Sequence, residues 1–189
     1  MTMIDWHRRA WARWVIAMSA LGTGGAAQAQ VDPALREAFL AFFPMYEMAR
    51  LRHLAVDEPA NPVRRAVNQF QHGRRLLDHT ARNVTAPNND TLYSSARLDV
   101  SRGPVSIESP HFGKRYYSLH LMNQYTDNLA ILGTREGGEG PLRVAVVGPG
   151  WQGAVPDHTH LVRSDTNELW LLIRVLVDGP QDIAAVASL

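Results

Sequence analysis

From Thr91 onward the chain alternates apolar and polar positions with a period of two. Leu92, Ser94, Ala96, Leu98 and Val100 fall on one side, and Tyr93, Ser95, Arg97 and Asp99 on the other. That period predicts a half-buried β-strand. Shorter stretches of the same kind follow over 105–108, 115–124, 126–134, 142–147, 159–163 and 168–177. Turn residues separate them: Ser101-Arg102-Gly103-Pro104, Gly137-Gly138-Glu139-Gly140-Pro141, Gly148-Pro149-Gly150 and Asp165-Thr166-Asn167. No helix of crossover length lies between these strands, so antiparallel pairing is expected.

Ahead of the strands the period is helical. Leu35, Ala38, Phe39, Phe42 and Phe43 recur at helical spacing, with Asp32 as N-cap and Pro33 at the first helical position. A helix is expected over 32–56, kinked or divided at Pro44, with its apolar stripe as a packing face. Residues 63–72 read as a short helix or an irregular segment. The whole predicts a mainly β fold with N-terminal helices, an antiparallel β-sandwich or jelly-roll-like domain. The expected organisation is a leader over 1–29, a helical segment over 30–84, a β core over 85–178 and a C-terminal helix or linker over 179–189.

The leader rests on Arg8, Arg9 and Arg13, the short apolar run from Trp14 to Leu21, and Ala27-Gln28-Ala29 at a cleavage position. The run is too short to cross a bilayer, so the expectation is a secretory signal and a periplasmic or secreted protein with no membrane span. Its removal leaves 160 residues and takes away three arginines and one aspartate, so a formal charge of +1 becomes −1. Nothing in that balance calls for nucleic acid. With no cysteine, the chain has neither a disulfide nor a thiolate nucleophile or metal ligand.

The turn Asn88-Asn89-Asp90, followed by Thr91 and Tyr93, concentrates hydrogen-bonding side chains where a strand begins. Such a cluster suits either a self-capped turn or a polar ligand. Tyr125, Asp127 and Asn128 form a second polar group between apolar strands. Arg174 interrupts the apolar run 171–177, and a charge in such a strand calls for an acid facing it in a salt bridge, with Asp90 or Asp127 as candidate, or for an anionic ligand. The expected ligand set is therefore Asn88, Asn89, Asp90, Tyr93, Tyr125, Asp127 and Arg174, for a small polar or carbohydrate-like ligand. Asp90 and Asp127 could alternatively act as a carboxylate pair in a hydrolase or lyase, or Asp127 could sit in a bulge and bond backbone. His158 and His160, at strand spacing, would need His120 to complete a metal site. No phosphate loop, Gly-x-Ser-x-Gly or His-Glu-x-x-His arrangement occurs, and no cofactor is expected. A third reading is a structural module that assembles with copies of itself.

Several longer stretches add a resemblance. They are Phe43-Pro-Met-Tyr-Glu-Met-Ala-Arg50, Thr85-Ala-Pro-Asn-Asn-Asp-Thr-Leu-Tyr-Ser-Ser95 and Arg115-Tyr-Tyr-Ser-Leu-His-Leu-Met122. To these are added Tyr125-Thr-Asp-Asn128, Leu132-Gly-Thr134, Val147-Gly-Pro-Gly-Trp151, Thr166-Asn167 and Leu176-Val-Asp-Gly-Pro180. Together they resemble the bacterial domain of unknown function 1254, over nearly the whole chain beyond the leader. The resemblance implies β-sandwich or jelly-roll domains, commonly followed by a second domain of unknown function, 1214. The chain reaches Leu189 a few residues into the connecting helix, so a missing C-terminal domain is the expectation.

Overall fold

A computed structural model describes residues 32–82, 86–136 and 141–189. Residues 1–31, where a leader over 1–29 is expected, the sequence Asn83-Val84-Thr85 and residues 137–140, expected as part of a turn, lie outside the described residues. The described residues fall into two units, 32–38 and 39–189. In the first, the carboxylate of Asp32 accepts a hydrogen bond from the backbone N–H of Ala34 at 2.9 Å, the N-cap bond expected there. Helix α1, Pro33–Val56, then continues without interruption past Pro44. Its stripe is not the buried packing face expected from the spacing: Met48 is the one buried residue, and Phe39, Phe42, Phe43 and Tyr46 are exposed.

The second unit is built on eight strands: β1 Gln71–His72, β2 Thr91–Asp99, β3 Val105–Glu108, β4 Tyr117–Met122, β5 Asn128–Gly133, β6 Arg143–Val147, β7 His160–Arg163 and β8 Glu168–Leu176. Residues 63–70 are irregular and lead into β1, a strand too short to leave a periodic signal. A five-stranded sheet has the order β1-β2-β8-β4-β5, antiparallel throughout. A three-stranded sheet has the order β3-β6-β7. There the all-antiparallel expectation fails, because β6 and β7 run parallel. The residues between them, 148–159, form a connection long enough to return the chain to the same end.

The core forms where the two sheets share apolar side chains. Leu92, Leu98, Leu119, Leu121, Leu169 and Leu171 from the large sheet join Ile107, Val144, Val146 and Val162 from the small one. Their alternation along each strand fixes the inner face of the large sheet, and the intervening residues form its outer face. The chain closes with a 3₁₀ turn at Pro180–Asp182 and α2, Ile183–Val186. Arg115 anchors it, pairing with the Asp182 carboxylate and donating to the Leu176 carbonyl at 2.8 Å.

Candidate functional site

The outer face of the five-stranded sheet is set by register. Tyr93 lies opposite Arg174, which lies opposite Ser118, which lies opposite Gly133. The next rows carry Ser95, Leu172, His120 and Ile131, then Arg97, Trp170 and Met122. The result is a half-buried surface rich in aromatic rings, guanidinium groups and small polar side chains.

At one end this face is covered. The Met48 sulfur lies 3.8 Å from the Arg97 guanidinium, and Arg52 pairs with Glu168 at 3.2 Å. Arg97 lies over the Trp170 ring at 4.4 Å, and the indole N–H donates to Ser95 at 2.8 Å. Burial, reinforced by the like charge of Arg52, pushes the Arg97 guanidinium down to about 10, so it keeps its charge at neutral pH.

At the other end Arg174 sits over the Tyr93 ring at 5.4 Å. Among the described residues no carboxylate pairs with it. Beside it, Ser118 borders a surface cavity of about 220 Å³ that Tyr116, Thr134 and Arg135 also line. Gly133 keeps this edge tight, since a Cβ there would fall 2.2 Å from the Tyr117 carbonyl oxygen.

The expected ligand set does not meet in one place. The Asn88 side-chain oxygen accepts from the backbone N–H groups of Asp90 at 2.9 Å and Thr91 at 3.1 Å. Asn88 is thus spent on its own turn, and Asn89 and Asp90 are exposed at the rim. The Asp90 carbonyl accepts from Val177, at the far end of β8 from Trp170, the partner of Met122. Tyr125 and Asp127 follow Met122, so they stand about seven residues away along the sheet, roughly 24 Å at strand spacing. That separation overturns the carboxylate pair of Asp90 and Asp127, and with it the hydrolase or lyase built on them. It also removes Asp127 as a partner for Arg174, and Asp90 pairs with no cation among the described residues.

Asp127 belongs instead to a corner organised by Asn123, a residue the sequence did not single out. Asn123 is 1% exposed. Its carbonyl oxygen accepts from the N–H groups of Tyr125 and Asp127, both at 2.9 Å. Its amide donates to Asp127 at 3.1 Å and Asp165 at 3.0 Å. Thr126 takes a left-handed φ of 69° inside this corner, and the register shifts between Leu121 and Met122. Asp127 thus sits at a corner beside the bulge, and its carboxylate bonds the Asn123 side-chain amide and not backbone.

The three histidines also stay apart. His158 lies in the turn before β7 with a left-handed φ of 58°, off the strand face that His160 begins. His120 is on the outer face of the other sheet, 2.5 Å from the Asn128 side-chain oxygen. The described residues contain no group of three or more His, Cys, Asp or Glu placed to hold a metal ion. Nor does any described helix have the length and apolarity to cross a membrane.

A family described as "Protein of unknown function (DUF1254)" matches residues 67–189. A crystal structure of the VPA0106 protein from Vibrio parahaemolyticus is similar at 27% identity and a TM-score of 0.63. The similarity covers 80% of this chain and 34% of that one, so the chain spans about a third of the length of that relative. A putative uncharacterized protein from Burkholderia cenocepacia is 17% identical over 82% of this chain and 41% of its own, with a TM-score of 0.44. No curated protein matches.

Proposed function

The chain belongs to the DUF1254 family, and from that premise we propose an exported domain that holds a small polar, carbohydrate-like ligand on the outer face of its large sheet. The ligand carries a carboxylate, which Arg174 receives beside Tyr93, close to the Asn88–Asp90 turn. One observation carries the reading: Arg174 is half-buried within an apolar strand, and Tyr93's ring is its neighbour in place of an acid. A guanidinium taken partly out of water gains most from a two-pronged bond to a planar carboxylate. An aromatic ring alongside suits the flat face of a sugar.

Binding of galacturonate and of galactose, followed by calorimetry, tests this. Galacturonate is expected to bind at least tenfold more tightly, and Arg174→Ala is expected to abolish that preference. Equal binding by Arg174→Ala and the parent chain defeats the reading. Asp90→Ala separates turn from ligand: its carboxylate makes no ion pair among the described residues, so the variant is expected to fold and to bind more weakly. Export has its own test, since sequencing the exported protein is expected to begin at Gln30.

A further inference from the structure

A second opening lies on the other side of β2, between the two sheets. It has a volume of about 190 Å³, and its walls include Phe70, Leu92, Phe112, Ile173, Val175 and Val186. An apolar cavity of roughly 150 Å³ accepts a benzene ring, so this one accommodates a hydrocarbon or aromatic group of six to eight carbons. Its rim is polar and leans positive. His72 and Ser94 face each other across β1 and β2, with the imidazole Nδ1 2.7 Å from the hydroxyl. The Phe70 ring stacks on that imidazole at 5.5 Å and holds its plane. Arg74, two residues beyond His72, also borders the opening and has no acidic partner among the described residues. Glu108, an acidic side chain at the rim, is turned to Arg143 at 3.4 Å.

We propose that this inter-sheet cavity is a binding site for a small amphipathic carboxylate. The hydrocarbon end lies between the sheets, and the carboxylate meets Arg74, His72 and Ser94 at the mouth. Apolar burial supplies the affinity, and the cationic rim selects an acid over the corresponding alcohol. The site is distinct from the outer face, because Ser94 and Tyr93 point to opposite sides of one strand.

Calorimetry of the full chain with butanoate, hexanoate and octanoate tests it. Each added methylene is expected to tighten binding about fourfold, the gain from burying one CH₂. Octanol is expected to bind at least fivefold more weakly than octanoate. Arg74→Ala, an exposed change that leaves the core intact, is expected to erase that difference, whereas Arg174→Ala leaves octanoate binding unchanged. An affinity independent of chain length, or an octanoate preference that survives in both Arg74→Ala and His72→Ala, overturns the proposal. So does the absence of saturable octanoate binding.

Discussion

Asn123 shows what a single buried amide does when all its hydrogen-bonding capacity is used. It closes the β4–β5 corner on two backbone N–H groups and ties that corner to the Asp165 turn through its amide. Asn123→Ala leaves those groups unpaired in a half-buried setting, and a loss of about 3 kcal/mol in denaturant unfolding is expected. The opposite result is expected at Tyr117. Its ring is 1% exposed and packs on Phe112 at 4.4 Å, yet its hydroxyl has no hydrogen-bond partner among the described residues. Burial also holds that hydroxyl above the usual tyrosine range. Tyr117→Phe removes an unsatisfied polar atom and keeps the ring, so stability is expected to hold or rise by about 1 kcal/mol. Neither role is legible in the sequence. Asn123 looks like one more turn residue, because its value depends on Asp165, forty-two positions later.

At the level of elements, alternation predicted the inward side chains of β2, because a strand buried on one face must repeat every second residue. The edge of the same sheet leaves no such signal, since β1 has two residues and no period. Helix α1 was legible in its cap and extent but not in its burial, because spacing reveals a stripe and not what covers it. The chain's last turn offers a test of electrostatics. The Arg115 guanidinium and the Asp178 N–H hold the Asp182 carboxyl below the ordinary carboxylate range. A carboxylate whose folded value is depressed stabilises the fold above its unfolded value and loses that contribution as pH falls through the folded value. The Tm gap between the parent chain and Asp182→Asn is therefore expected to be full at neutral pH and to close below about pH 4. A gap that does not change with pH contradicts the assignment. Between β4 and β5, Gly133→Ala is expected to cost about 1–3 kcal/mol, because the added methyl meets the Tyr117 backbone and not a movable side chain.

For the whole molecule, seven of the eight strands followed from period and turn chemistry, and their partnership did not. Nothing local in Leu161 or Val162 says that β7 lies parallel to β6, and nothing in Asp90 says that Asp127 is at the far end of the sheet. A site is a property of register, which no local stretch of sequence carries. The exposed ring pair Phe39–Phe43, 5.2 Å between centroids, belongs to this scale too. The position of β8 has a further consequence. It is the middle strand of the large sheet, between β2 and β4, although both precede it by scores of residues. As a ribosome delivers the chain, β2 and β4 emerge without the neighbour that joins them. The sheet cannot grow strand by strand, and closure waits until residue 176 is free. Such non-local pairing predicts refolding in milliseconds to seconds, slower than a helical bundle of this length. A growing chain whose large sheet closes only once residue 176 is free keeps that sheet open until then.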